Sequence, residues 1–158
     1  VSDSHPDAPD HAIDPRHARG RRSEHLVRDF LLEQGLQCLH QNWRCRLGEI
    51  DLIMRERDAG VIVFVEVRYR ASAERGSSLD TVGYRKRVRL CRTVRAWLQR
   101  HDQGDSPVRI DVVGVEPDKG TAHVASNGNG NGNGNGNIIV NREGQTLTWV
   151  VNAIEEDG

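Results

Sequence analysis

The sequence predicts an α/β protein, a mixed sheet with helices packed against it. Residues 47–70 read as two strands around the turn Arg57-Asp58-Ala59-Gly60, and the second strand is rich in β-branched residues. Segments with apolar residues at helical spacing flank this pair. They are Leu26, Val27, Phe30 and Leu31 before it, and Leu90, Val94, Trp97 and Leu98 after it. A further apolar strand, 108–115, follows the second helix.

At 158 residues the chain is about one domain long. No apolar run approaches the roughly 20 residues that span a bilayer, so no membrane is expected among its partners. Residues 1–19 are expected to be a disordered, acidic leader. The first fifteen carry Pro6, Pro9 and Pro15 and no apolar stretch of signal-peptide type. The three cysteines, Cys38, Cys45 and Cys91, lack metal-knuckle spacing. They read as reduced thiols, which points to the cytoplasm. The net charge of −1 conceals a strong asymmetry. Base collects in residues 16–28 and 85–100, and the second block contains six arginines and Lys86 with no acid among them. Such a cluster can neutralise phosphates even when the whole chain is near neutral.

Taken in order, residues 16–22 read as a basic hinge into a helix over 23–34 that stops at Gly35. Glu24 lies three and seven residues before Val27 and Leu31, which directs it near the packed face. The alternative is a favourable charge in the first helical turn. Residues 36–44 read as an edge strand with imperfect alternation. The central strands are 49–54 and 61–67, and 71–79 is a polar loop. A helix is expected from residue 80 or 81 to 101, with Lys86 at the border of its apolar stripe. Arg87 also points inward on an ideal wheel, which fits poorly. Residues 127–137 alternate Asn and Gly, so 125–137 is expected to be a flexible insertion within a domain spanning 20–154. A last hairpin pairs 138–140 with 147–153 around Arg142-Glu143-Gly144, and 155–158 is a tail.

The central strands carry the chemistry. Asp51 sits between Ile50 and Leu52, and Glu66 between Val65 and Val67. A carboxylate in a buried strand costs several kcal/mol unless it is paired, hydrogen-bonded or bound to a metal. If the strands are antiparallel neighbours, the two acids come together, and a hard divalent cation relieves their repulsion. The Val67 carbonyl could add an oxygen, and Glu24 could approach from the helix. Arg68, two residues past Glu66, faces the same site with a fork suited to phosphate. Arginine stays protonated, so Lys86 is the nearest residue able to orient or activate water. The structural alternative pairs Asp51 and Glu66 with Arg68, Arg70 or Arg44. Asp111 reads mainly as a structural hydrogen-bonding acid, with approach to the site as the alternative. Trp43 and Trp97 read as core.

The spacing of Asp51 and Glu66-Val67-Arg68 resembles the Asp…Glu-x-Lys core of the restriction-endonuclease-like superfamily. More closely, the chain resembles the YraN-like family of small bacterial proteins. The shared words are Asn42-Trp43-Arg44, residues 48–53 (GEIDLI) and 64–70 (FVEVRYR), Lys86 with Arg89-Leu90, Ile110-Asp111-Val112-Val113 and residues 149–153 (WVVNA). The resemblance implies an αβββαβ nuclease-like core related to Holliday-junction-resolving enzymes. It makes Asp51 and Glu66 the metal carboxylates and Glu24 the helix acid. It also sets Arg68 where the superfamily has lysine.

The expectation that follows is an endonuclease dependent on Mg²⁺ or Mn²⁺ that hydrolyses DNA phosphodiester bonds, with branched or damaged DNA among its substrates. Asp51, Glu66, Arg68 and Lys86 would be catalytic, and Glu24, Asp51, Glu66 and Val67 would supply metal oxygens. A two-stranded substrate would favour a homodimer. The alternatives are a non-catalytic nucleic-acid-binding module of the same fold, and a structural or protein-interaction domain.

Overall fold

A computed structural model describes residues 15–70, 83–118 and 137–154. The elements run α1 (Pro15–Glu33), β1 (Leu36–Cys45), β2 (Gly48–Glu56), β3 (Ile62–Tyr69), α2 (Tyr84–Arg100), β4 (Val108–Pro117), β5 (Asn137–Arg142) and β6 (Gln145–Ile154). The first six reproduce the expected αβββαβ order. The expected leader through residue 14, the loop at 71–79 and the Asn/Gly alternation up to residue 136 lie outside the described residues.

The six strands form one mixed sheet in the order β1-β2-β3-β4-β6-β5. Only β3 and β4 pair in parallel, and α2 lies in the connection between them. Such a pair needs a crossover connection, whereas β1–β2 and β5–β6 close with tight turns. The β5–β6 turn is Glu143-Gly144, both with positive φ, 49° and 71°. Two left-handed residues match the twist of a two-residue hairpin.

Both faces of the central strands are covered, which explains their near-continuous apolar runs. On β3, Val63 and Val65 join Leu26, Val27, Phe30 and Leu31 of α1. Ile62 and Phe64 pack instead with Leu90, Val94 and Trp97 of α2. The three-layer arrangement follows from period-two alternation on a strand with two greasy sides.

Two boundaries differ from the sequence reading. The first helix begins at Pro15 rather than at residue 23, so residues 15–19 of the expected disordered leader and the segment 16–22 expected as a hinge are helical. Proline suits the first helical position because its missing N–H has no intrahelical acceptor there, and Arg and Ala are good helix formers. Within α2, Gly83 precedes the first helical residue Tyr84.

Gly48 marks the closest approach of sheet and helix. A Cβ built there would sit 2.7 Å from the Thr93 hydroxyl oxygen and 3.3 Å from Arg89 Cγ. Thr93 is fully buried and its hydroxyl donates to the Arg89 carbonyl, so it has little room to retreat. A glycine is therefore what lets the start of β2 lie against α2.

Candidate active site

The site forms where the β2–β3 ladder stops. Antiparallel pairing runs from Arg55↔Ile62 to Leu52↔Val65 and ends there. The next position would set Asp51 opposite Glu66. Instead the Asp51 side chain enters the opening, and its Oδ2 accepts the Val67 N–H at 2.7 Å. The carboxylate thus takes over a ladder contact that the backbone no longer makes. Strict alternation also fails here, since Ile50 and Ile53 both join the cluster under α2.

Asp51 and Glu66 line one open pocket of about 710 Å³ with Arg44, Cys45, Gly48, Glu49, Arg85, Lys86, Arg89 and Leu90. The two acids therefore meet rather than occupying opposite faces of the sheet. Burial, followed by the charge of Glu66, raises the Asp51 pKa to about 7. The Val67 N–H and Lys86 oppose that rise, while Glu24 adds to it. Glu66 is itself buried, with 7% of its surface exposed. The Lys86 ammonium is paired with its Oε1, and the Arg68 Nε stands 4.0 Å from the same oxygen.

The other expected site residues are placed as follows. Glu24, half-buried on α1, accepts a 2.8 Å hydrogen bond from Asn42 Nδ2 and lies close enough for its charge to act on Asp51. Val67 meets Asp51 through its N–H. Arg68 contacts Glu66 but does not line the pocket, and its Nε has no hydrogen-bond partner among the described residues. The structural pairing considered for Arg44 goes to Glu49, at 2.9 Å, and not to Asp51 or Glu66.

Asp111 belongs to a separate network. It accepts from Arg109 Nε at 3.1 and 3.2 Å, from Trp149 Nε1 at 2.9 Å and from the Asn152 N–H at 2.9 Å. Arg109 also pairs with Glu56. These bonds give Asp111 a structural role and tie β4 to β6.

Sequence reasoning did not single out Arg85, Arg89 or Cys45 as pocket residues. The helical spacing of Arg85 with Arg89 and of Lys86 with Leu90 was available as a signal, because i and i+4 share a face. Nothing local announced Asn42 as the partner of Glu24.

The donor set can be weighed against a divalent cation. Among the described residues no group of three or more His, Cys, Asp or Glu side chains is placed to hold a metal. The pocket instead offers the hard carboxylates of Asp51 and Glu66, with that of Glu49 paired to Arg44, and the Asp51 Oδ1 accepts no hydrogen bond among the described residues. That fits Mg²⁺ or Mn²⁺, which takes one or two carboxylates and completes its shell with water and substrate phosphate. It does not fit a closed zinc site, which needs four protein ligands.

Residues 23–115 match the model of Uncharacterised protein family UPF0102. The chain belongs to that family. Among UPF0102 proteins, one from Pseudomonas savastanoi pv. phaseolicola is 39% identical over 112 residues, covering 68% of this chain and 89% of its own. One from Nitrosococcus oceani is 38% identical over 107 residues, covering 67% and 85%. One from Pseudomonas putida strain GB-1 is 37% identical over 137 residues, covering 86% and 92%. The UPF0102 match contains every candidate site residue, from Glu24 to Lys86. Among the described residues no helix is long and apolar enough to cross a membrane.

Proposed function

We propose that this UPF0102 protein is a metal-dependent endonuclease acting on DNA. The observation that carries the reading is the convergence of Asp51 and Glu66 on one open pocket, bordered by Lys86, Arg44, Arg85 and Arg89. A bound Mg²⁺ or Mn²⁺ would supply Lewis-acid polarisation of a phosphate oxygen and a more acidic coordinated water. Asp51 and Glu66 would hold the ion through carboxylate oxygens. Arg44, Arg85 and Arg89 line the approach and grip backbone phosphates, which fixes the scissile group in register. Arg68 lies against Glu66, outside the pocket lining, and would supply permanent positive charge behind that carboxylate. Lys86 is half-exposed and already touches Glu66, so it is the group able to exchange a proton with attacking water or leaving oxygen. Proton transfer thus passes from the superfamily's strand position, filled here by Arg68, to the helix.

A non-catalytic nucleic-acid-binding module is the second reading, favoured by one feature. The Lys86 ammonium already compensates the Glu66 charge. Cleavage of linear, nicked and four-way DNA with Mg²⁺ or Mn²⁺, alongside D51N, E66Q and their unfolding curves, separates the two. Metal-dependent cutting that D51N and E66Q abolish while remaining folded supports the nuclease. Salt-sensitive DNA binding with no cutting, indifferent to D51N, supports the binding module.

A further inference from the structure

The β1 residue in register with Asp51 is Asn42, since Gln41 pairs with Leu52 and Trp43 with Ile50. Asn42 has a φ of +50°. A left-handed residue inside a strand is costly for most side chains, and asparagine tolerates it best after glycine. Its Nδ2 donates to Glu24 Oε2 at 2.8 Å. The strand therefore adopts an unusual conformation opposite the site acid, and that same residue fastens Glu24, whose charge adds to that of Glu66 in raising the Asp51 pKa.

Among the described residues Glu24 makes no other side-chain hydrogen bond or ion pair. A partly exposed glutamate in the middle of a helix has three side-chain torsions and swings toward water unless it is tied. One turn further on, Arg28 Nη1 reaches Gln41 Oε1 at 3.1 Å, so α1 is already fastened to β1 beside the Asn42 bond. A second tether is thus redundant for docking the helix, and its effect falls on where the Glu24 carboxylate stands.

We infer that Asn42 is a positioning residue that holds the Glu24 carboxylate beside the Asp51–Glu66 pair as a further oxygen contact, through water, for the divalent cation. The inference rests on the metal-site reading above. Outer contacts of this kind orient the hydration shell of an ion that keeps several waters, and losing one typically weakens metal affinity 10- to 100-fold.

The test is calorimetric titration of the full chain with Mn²⁺ alone, together with urea unfolding. The variants are N42G, E24Q, the double variant and D51N. Glycine permits the positive φ, so N42G removes the amide without forcing the backbone. The expected result is about tenfold weaker Mn²⁺ binding in N42G and in E24Q, with the double variant no weaker than either, because both act through one contact. Unchanged Mn²⁺ affinity in N42G, with D51N abolishing binding, overturns the role of Asn42 and leaves the metal site standing. Loss of stability in N42G without loss of affinity does the same and makes the bond a helix tether. Absence of Mn²⁺ binding by the unaltered chain, with D51N indistinguishable from it, overturns the metal site and this inference together.

Discussion

Asp51, half-buried, and Asp111, fully buried, are two strand aspartates in one sheet, and both repair a broken ladder. Asp51 accepts the Val67 N–H where β2 and β3 part. Asp111 accepts the N–H of Asn152, a residue with a φ of +53° in the irregular stretch of the β4–β6 pairing. Burial raises the pKa of each. Their remaining partners separate them. Asp111 is met by the Arg109 guanidinium and the Trp149 indole, so its lone pairs are engaged. Asp51 faces a second carboxylate across an open pocket and keeps one oxygen without a hydrogen bond among the described residues. A buried charge that is fully partnered serves the fold. One left under-partnered beside a like charge costs stability, and that cost is what supports the metal site proposed at Asp51.

The contrast yields predictions of decreasing size. Asp111→Ala leaves Arg109 Nε, Trp149 Nε1 and the Asn152 N–H without their acceptor, while Arg109 keeps its pairing with Glu56. It should lower unfolding stability by about 3–5 kcal/mol, measured by urea denaturation. An unaltered midpoint would remove the distinction between the two acids. Lys86→Ala should cut metal-dependent cleavage by about 100-fold or more, while Mn²⁺ affinity, read by calorimetry, holds or improves. Affinity that falls in step with cleavage would make Lys86 a structural partner of Glu66 only, as Arg109 is of Asp111.

Asp51→Asn should act opposite to the Asp111 substitution. At pH 8 the metal-free variant should be at least as stable as the unaltered chain, while Mn²⁺ binding is abolished because one of the two carboxylate ligands is lost. The pH dependence has a definite sign. The folded-state pKa of Asp51, about 7, lies above the ordinary value of 3.8, so the folded chain binds the extra proton between those values. The Asp51 contribution to metal-free stability therefore falls as pH rises from about 4 to about 7, and D51N should flatten that slope. Mn²⁺ affinity should climb over the upper part of the same window, because the ion competes with the proton. A flat affinity profile from pH 6 to 8 would contradict Asp51 as a ligand. The smallest change expected is Gly48→Ala, at about 1–3 kcal/mol, since the added methyl meets Thr93 and Arg89 and must push α2 outward.

Much of this architecture could be read from local pattern. The β-branched run of β3 and the helical spacing in α2 depend on periodicity alone. Asp51 and Glu66 stood out because acids inside apolar runs are expensive anywhere. Other features had no local signature. Residues 16–22 look like a basic hinge until α1 is seen to start at Pro15. Asp111 shows the same acid-in-strand pattern as Asp51, and nothing in its neighbours says that Trp149, 38 residues later, will satisfy it.

The sequence by itself determined the element order, the two-sided burial of the central strands and the identity of the two costly acids, because these follow from residue type and period. Only the tertiary structure decided which strand aspartate is satisfied, which basic residue reaches Glu66, and that Asn42 holds Glu24. Those contacts join residues far apart in the chain. They depend on where the β2–β3 ladder stops and how closely α2 approaches at Gly48, and neither distance is encoded in any single segment.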